Sequence, residues 1–418
     1  MVMGAGVPLG FQLSPNLVVP STGNITAEVR KDYQSIFQSS PVTIVEEMYQ
    51  YLMATLPSQA DPFVQNPQPY VHFELLFHVM EMYVTYASVW VGNNKNSDRY
   101  PIFAPFVLPA KTYDTNVLRS VMSDFILRIM DVVDGYDSYF ATNPASEQWY
   151  RDFFHKAPWK WDVYNFNYDT TVEQCLIDYE DGYDDIPGKD YKQFFPQKLM
   201  ANQNDLSTVN HLHGCIHFYY DRDTNHDIYN YTHGDLFRYQ DYGTVRGMYI
   251  GRSQSQPTNQ TNEELYAGPI ITGLRKTDKL ICIPYDYYHA NLGSSLLGSS
   301  RLLIAGYSFG DLYMNQQLNR MGLVHRNNRR VVLIDFWNPK EIDEIGIEKF
   351  VLYRIPIHMQ EFLMMMCEVA YAEELPKALA YNNPQKPMYS INGCLMLLAC
   401  GMRDAVVNYY SDIIKFLK

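Results

Sequence analysis

The stretch R-L-L-I-A-G-Y-S-F-G-D, residues 301–311, decides the fold class. An apolar strand leads into a glycine-containing turn, and an acidic residue follows where a helix would begin. Similar short apolar or alternating runs occur at 161–166, 208–214, 278–285 and 329–336. Strand, loop and helix in succession predict an α/β fold with a Rossmann-like, doubly wound, mostly parallel sheet. Ligands of such sheets bind at the carboxyl ends of the strands.

Helical periodicity dominates the chain before and after these strands. Apolar residues recur every three or four positions over much of 35–140 and again near residue 418. We therefore predict one domain over residues 1–340, with a mostly helical insertion at 35–155 and a loop-rich insertion at 216–275. Residues 341–418 are predicted to form a helical C-terminal extension.

Composition narrows the class of protein. Of the 418 residues, 47% are apolar and 19% are charged, so the chain is too hydrophobic to be disordered. Its formal charge of -13 argues against direct binding of nucleic acid or of anionic membrane surfaces. No apolar run approaches the roughly 20 residues that span a bilayer. The six cysteines are scattered, which indicates reduced thiols and a cytoplasmic protein.

Glycines that suit a phosphate-binding turn occur among the first residues. In M-V-M-G-A-G-V-P-L-G, Gly4 and Gly6 allow a sharp turn and a close backbone approach to a pyrophosphate. An ordinary turn is the alternative, and these residues alone leave both interpretations open.

A second stretch, V-Y-N-F-N-Y-D-T-T at 163–171, begins in an apolar run and has amides at alternating positions. Asn167 lies at the carboxyl end of the predicted strand. A buried amide there has to satisfy a donor and an acceptor, and a ligand commonly does so. Asp169 and Thr170 have a simpler interpretation as helix N-cap residues.

The stretch V-N-H-L-H-G, residues 209–214, places two imidazoles on one face of a predicted strand. Metal coordination is one interpretation of His211 and His213, because imidazoles two residues apart can share an ion. No carboxylate or cysteine lies at a convincing ligand spacing nearby, so we expect no metal. Burial as core histidines is the alternative.

G-Y-S-F-G at 306–310 also satisfies the G-x-S-x-G pattern of a nucleophile elbow, with Ser308 at its centre. Asp335 and His358 follow in the order that α/β-hydrolases use. The pattern comes late in the chain, and it gives no role to Asn167 or to the first glycines. A serine hydrolase is nevertheless one alternative function, and a nucleotide-binding module without turnover is another.

Taken in order, G-A-G-V, N-F-N-Y-D, H-L-H-G and G-Y-S-F-G-D resemble the motifs of the sirtuin-like superfamily, in particular its branch in bacterial antiviral defence. The resemblance covers residues 1 to about 340. It implies hydrolysis of NAD to nicotinamide and ADP-ribose, since the paired zinc-binding cysteines of the deacetylase branch are absent. Pro8 departs from the family, which usually has serine there.

The resemblance also implies roles for individual residues. Asn167 would orient a water molecule and the nicotinamide ribose, and His213 would act as general base, because the ordinary pKa of histidine lies near the working pH. Asp311 would cap the following helix. Further contacts to NAD would come from Gly4, Ala5, Gly6, Asp169, Gly306 and Ser308.

An enzyme that empties the NAD pool would kill its host, so the resemblance further implies that the isolated chain is restrained until something assembles with it or binds to it. We expect a homo-oligomer, with a separately encoded ATPase or nucleic-acid-guided protein as the candidate partner. The surfaces for these contacts would be the Met- and aromatic-rich helices at 35–140 and the apolar segments 363–367 and 394–400. Simple core packing is the alternative for all three.

Overall fold

The computed structural model describes residues 1–13, 17, 21–31, 33–34, 41–42, 44–56, 70–88, 115–144, 147–201, 205–219, 235–250, 268–273, 276–281, 283–380 and 386–418. Parts of both predicted insertions, at 35–155 and 216–275, lie outside the described residues. These parts are 35–40, 43, 57–69, 89–114, 145–146, 220–234, 251–267 and 274–275.

The described strands are β1 (Val2–Met3), β2 (Tyr33–Gln34), β3 (Pro41–Val42), β4 (Asp162–Asn165), β5 (Tyr179–Glu180), β6 (Tyr183–Asp185), β7 (Tyr191–Phe194), β8 (Ser207–His211), β9 (Phe218–Tyr219), β10 (Phe237–Tyr239), β11 (Arg301–Ala305), β12 (Arg330–Ile334), β13 (Met388–Tyr389) and β14 (Leu395–Leu398).

The described α-helices are α1 (Thr22–Val29), α2 (Ile44–Thr55), α3 (Phe73–Ser88), α4 (Thr115–Thr142), α5 (Gln148–His155), α6 (Pro196–Ala201), α7 (Tyr242–Ile250), α8 (Tyr285–Gly298), α9 (Leu312–His325), α10 (Pro339–Ile345), α11 (Ile347–Tyr353), α12 (Ile357–Cys367), α13 (Leu375–Ala378) and α14 (Met402–Leu417). Short 3-10 helices cover Pro8–Gly10, Lys276–Ile281, Arg326–Asn328 and Ala372–Glu374. Within this described part of the chain, no helix is long and apolar enough to cross a membrane.

The main sheet confirms the predicted α/β fold. Among the described residues, eight strands pair in the order β13-β14-β12-β11-β1-β4-β8-β5, and only β13 with β14 is antiparallel. From β1 the chain adds β4 and β8 on one side, and it later adds β11 and β12 on the other. The strand order therefore reverses at β1, and ligands of doubly wound sheets bind at the carboxyl end of such a switch point.

Hydrophobic layers cover both faces of this sheet, which explains the continuous apolar runs in its strands. In β11, Leu303 packs into the layer that contains α4, α5 and α14, whereas its neighbour Leu302 packs into the layer of α8, α9 and α12. Val332 and Val331 of β12 divide between the layers in the same way. The alternation along each strand thus places one set of side chains in each layer.

The described helices of the 35–155 stretch are core elements. Leu76, Phe77 and Met80 of α3 and Phe125 of α4 are almost completely buried, and the rings of Phe77 and Phe125 lie 5.6 Å apart. The apolar faces of α3 and α4 therefore pack against each other. Core packing therefore accounts for these two faces.

One predicted strand is wrong. Residues 276–281 form a 3-10 helix instead of the strand predicted at 278–285, and α8 begins at Tyr285. Two ion pairs hold the 3-10 helix on α3, Lys276 with Glu74 at 2.7 Å and Lys279 with Glu81 at 2.5 Å. A short apolar run does not by itself distinguish a strand from a buried helical turn.

The segment after residue 340 is helical over α10 to α14, but it also completes the sheet. β14, from the run C-L-M-L-L-A-C, pairs in parallel with β12 and is buried along its whole length. In L-M-M-M-C, Leu363 and Met366 are fully buried in α12. Core packing therefore accounts for the buried residues of both apolar segments.

Replacement of Leu397 by alanine should lower the free energy of unfolding by about 2–5 kcal/mol, because this β14 side chain is fully buried. Val407→Ala is the control within the same segment. Val407 is 61% exposed, so its truncation should change stability by no more than about 0.5 kcal/mol. Urea denaturation followed by circular dichroism measures both values, and equal stability of the two variants would contradict the burial of β14.

Candidate functional site

A cavity of about 870 Å³ lies at the carboxyl end of β1. Its wall includes residues that follow four neighbouring strands: Gly4 after β1, Asn167 after β4, Gly306 after β11 and Asp335 after β12. The volume falls in the range of about 300–1,000 Å³ that is usual for small-molecule sites. The cavity therefore has both the size and the position of a ligand site in a doubly wound sheet.

Two glycine turns meet in this cavity through their backbones. The N–H of Gly6 donates to the carbonyl of Gly306 at 3.0 Å, and the N–H of Gly4 donates to the carbonyl of Ala305 at 3.0 Å. A Cβ on Gly6 would lie 2.6 Å from the Cα of Gly306, whose own φ is +60°. Only glycine fits this contact. Ala5, between the first two glycines, is exposed and lines the cavity.

Asn167 lies beside the first glycine turn. Its backbone N–H donates to the Oδ1 of Asn165 at 3.0 Å, and its Nδ2 donates to the carbonyl of Gly4 at 3.3 Å. Asn165 thereby stabilises the turn after β4. Asparagine side chains commonly do so by accepting a hydrogen bond from the backbone N–H two residues further on. The alternating amides thus have different roles, because Asn167 is the one that lines the cavity.

Asp169 lies behind the cavity wall. Its fully buried carboxylate accepts hydrogen bonds from the hydroxyl of Tyr136, from the hydroxyl of Thr171 at 2.5 Å and from the N–H of Thr171 at 3.0 Å. Tyr136 lines the cavity and Asp169 does not, so the direct ligand contact predicted for Asp169 is corrected to a supporting role. Turns follow at 171–175, so Asp169 is not a helix cap either.

His213 is 6% exposed and lines the cavity. Its Nε2 lies 3.1 Å from the Oδ2 of Asp311, while the Oδ1 of Asp311 accepts from the N–H of Met314 at 3.1 Å. Asp311 therefore caps α9, as predicted, and also orients the imidazole. This bond places the ring proton on Nε2 and leaves Nδ1 as the proton acceptor. The ring of Phe166 packs edge-on at 4.6 Å between centroids.

The electrostatic surroundings keep His213 neutral near pH 7. Burial lowers the pKa of His213 and the Lys276 ammonium lowers it further, whereas Asp311 raises it. Burial alone would raise the pKa of the Asp311 carboxyl, but the hydrogen bond with His213 holds that pKa well below its usual range. The pair is therefore a neutral base with an ionised orienting carboxylate, an arrangement suited to proton transfer.

Gly214 fixes the backbone of this histidine. Its φ is +94°, and a Cβ there would collide with the carbonyl of Pro269. The close approach allows backbone hydrogen bonds on both sides of Gly214. The N–H of Ile271 donates to the carbonyl of His213 at 2.7 Å, and the N–H of Cys215 donates to the carbonyl of Pro269 at 2.9 Å. The glycine of H-L-H-G is thus required for the position of His213.

His211 belongs to a buried ion network away from the cavity wall. Its Nε2 lies 2.6 Å from the Oε1 of Glu173, which also accepts from Arg238 at 3.2 Å, and Arg238 pairs in turn with Asp181. The two histidines of H-L-H-G therefore have different roles. In the described ranges, no group of three His, Cys, Asp or Glu side chains could hold a metal ion.

Residues from distant segments complete the cavity wall, and local sequence patterns did not reveal them. Glu74 comes from α3, Tyr136 from α4, Lys276 from its 3-10 helix and Arg403 from the first turn of α14. Asp335 did carry a signal, because an acidic residue at the end of a neighbouring strand commonly binds a ribose hydroxyl in Rossmann folds. Burial raises the pKa of Asp335 to about 6.

Ser308 is exposed and lines the cavity, but the described residues do not assemble a hydrolase triad around it. His358 lies in α12, where its Nδ1 is 3.0 Å from Glu361, and it does not line the cavity. In a nucleophile elbow the backbone of the serine itself is strained. In this turn the strained, positive φ values occur instead at Gly306 and Phe309. The geometry favours a ligand contact for Ser308.

Comparison with protein families agrees with this geometry. Residues 162–350 match the family model of the SIR2-like domain, a span that contains Asn167, His213 and Gly306. The match supports a sirtuin-like domain in this chain, and SIR2-like domains are typically NAD-dependent enzymes. Comparison with curated proteins found no significant match. The matched span begins after Gly4 and Gly6, which the fold nevertheless brings to the same cavity.

The titration of His213 tests the electrostatics of the site. In the wild-type protein its pKa should lie below the ordinary histidine value of about 6.5, because burial disfavours the charged ring. Lys276→Gln removes a neighbouring positive charge and should raise this pKa, whereas Asp311→Asn removes the partner of the imidazolium and should lower it. NMR of labelled histidine measures all three values. If the pKa of His213 shifted in the same direction in both variants, the opposite effects assigned to Lys276 and Asp311 would be contradicted.

Proposed function

We propose that this chain is an NAD glycohydrolase, which hydrolyses NAD to nicotinamide and ADP-ribose. The observation that carries the proposal is that two glycine turns, Asn167 and the His213–Asp311 pair line one cavity. The match to the SIR2-like domain supports the use of NAD. Hydrolysis is favoured over deacylation because the six cysteines include no closely spaced pairs for the zinc module of deacetylases.

The residues of the cavity suit the two ends of a dinucleotide. At Gly4, Gly6 and Gly306 no side chain covers the backbone, so a pyrophosphate can approach the two turns closely. Ser308 and Asp335 line the same cavity and supply hydrogen-bonding groups for a phosphate or for the adenosine ribose. Asn167 and His213 would then lie at the nicotinamide ribose.

The proposed mechanism assigns one task to each polar group at the reacting end. Asn167 orients a water molecule and the ribose. The glycosidic carbon–nitrogen bond breaks, its electron pair leaves with nicotinamide, and the water oxygen forms a bond to the ribose carbon. His213 accepts a proton from the water or from a ribose hydroxyl, and Asp311 stabilises the resulting imidazolium.

Asn167→Ala and His213→Ala should each lower kcat for NAD by about 10²–10⁴-fold, as expected for loss of an orienting or proton-transferring group. His211→Ala should mainly lower thermal stability, because it leaves the buried Glu173 carboxylate without one of its partners. Nicotinamide release measured by chromatography and thermal unfolding measured by calorimetry separate the two kinds of effect.

Two results would contradict these assignments. Full turnover by a folded Asn167→Ala variant would remove this amide from the mechanism. Ser308→Ala should mainly raise KM, since the serine is proposed as a ligand contact. Complete loss of turnover in that variant, together with labelling of wild-type Ser308 by a fluorophosphonate, would support a serine hydrolase instead.

We further propose that this reaction depletes NAD during bacterial antiviral defence and that the isolated chain is restrained until it assembles. The activating assembly would be a homo-oligomer or a complex with a separately encoded ATPase or nucleic-acid-guided protein. The support is the resemblance of the motifs to defence proteins and the toxicity of an unrestrained NAD hydrolase. Deletion of residues 390–418 cannot test this control, because it would remove β14 from the sheet and α14 from the cavity wall.

The test of control therefore uses the full chain. Light scattering should detect an oligomer, and turnover per chain should rise with protein concentration, because assembly is proposed to activate the site. In a bacterial host, phage infection should lower NAD in cells with the wild-type chain but not with Asn167→Ala. A monomer with full, concentration-independent turnover would show that neither assembly nor a partner controls the enzyme.

A further inference from the structure

The helical stretch before the matched family span places a carboxylate on the cavity wall. Glu74 lies in the first turn of α3, and the start of this helix is anchored on α1 because the hydroxyl of Thr26 accepts from the N–H of Phe73 at 3.0 Å. The Oε1 of Glu74 lies 2.7 Å from the Nζ of Lys276. The Glu74 side chain is 22% exposed and lines the cavity.

Glu74 and the proposed base His213 line the same cavity. Burial lowers the pKa of His213, and the carboxylate of Glu74 raises it against this larger effect. Burial, together with the charge of Glu74, also raises the pKa of Tyr168, which directly follows Asn167 in the chain and lines the cavity. The carboxylate thus neighbours the groups proposed to contact the nicotinamide ribose.

Glu74 is ionised at neutral pH. Burial raises the pKa of its carboxyl, but the Lys276 ammonium and the neighbouring histidines together lower it, and the net pKa is lowered. His213 itself is neutral. Among the described wall residues around it, two carboxylates, those of Glu74 and Asp311, are balanced by one ammonium, that of Lys276. This end of the cavity therefore has an excess of negative charge, which stabilises a nearby cation.

We propose that Glu74 is a further catalytic residue, whose carboxylate stabilises the positive charge that develops on the ribose as the bond to nicotinamide breaks. The inference rests on the proposed NAD hydrolysis. When the carbon–nitrogen bond breaks, its electron pair neutralises the pyridinium ring, and the positive charge moves to the ribose carbon and ring oxygen. The water oxygen then bonds to that carbon, and the water proton passes to His213.

This role predicts an effect on kcat in particular. The positive charge lies on the nicotinamide ring in the substrate and on the ribose in the transition state. A fixed carboxylate near the ribose therefore interacts more strongly with the transition state than with bound NAD. Product affinity should depend little on Glu74, because ADP-ribose carries no positive charge at that end.

Glu74→Gln keeps the size of the side chain and removes its charge. It should lower kcat for NAD by about 10²–10³-fold, the usual effect of losing one preorganised electrostatic contact, while ADP-ribose affinity measured by calorimetry stays close to wild type. Glu74→Asp retains a carboxylate and should show an intermediate kcat. Glu46→Gln is the matched control: Glu46 of α2 pairs with Arg30 at 2.8 Å, does not line the cavity, and its loss should leave kcat unchanged.

The outcomes separate this role from the proposed function. Wild-type kcat in Glu74→Gln would overturn the role of Glu74 and leave NAD hydrolysis intact. Loss of ADP-ribose affinity in Glu74→Gln, matched by an equal loss in Lys276→Gln, would also overturn it, since the ion pair would then only hold the wall in place. A wild-type protein that releases no nicotinamide from NAD would overturn the proposed function itself.

Discussion

Two glycine turns contact each other through their backbones at the centre of the sheet, and the site depends on this contact. β1 is only two residues long, yet it pairs with β4 on one side and β11 on the other, and the hydrogen bond from Gly6 to Gly306 extends this pairing beyond the strand ends. A Cβ at either glycine would meet the opposite backbone at 2.6 Å. Separation of the turns would therefore also displace Asn167, which is bonded to the first of them.

Local motifs predicted much of the site because parallel strands bring their carboxyl ends to one edge. Short motifs after four different strands therefore meet in one cavity, although hundreds of residues separate them. Seven of the predicted residues line it, namely Gly4, Ala5, Gly6, Asn167, His213, Gly306 and Ser308. Pro8, the departure from the family pattern, begins a 3-10 helix, a position at which a missing N–H costs nothing.

Other features could not be predicted because they depend on partners that are distant in the sequence. The two histidines of H-L-H-G have similar local surroundings, but one meets Glu173 and the other meets Asp311. Likewise, 278–285 and 394–400 both contain short apolar runs, yet the first begins within a 3-10 helix held by ion pairs with α3 and the second contains a buried strand. Glu74 and Arg403 reach the cavity only through packing of whole helices.

The position of β1 has a consequence for biosynthesis. Val2 pairs with Tyr164 and with Ile304, and the cavity wall extends from Gly4 to Arg403 and Asp404. At about 5–20 residues per second, a ribosome needs roughly 15–60 s to add the roughly 300 residues that separate β1 from β11. Such long-range pairing slows folding. A nascent chain, or a fragment from premature termination, therefore has no complete site until the residues up to Asp404 have been synthesised.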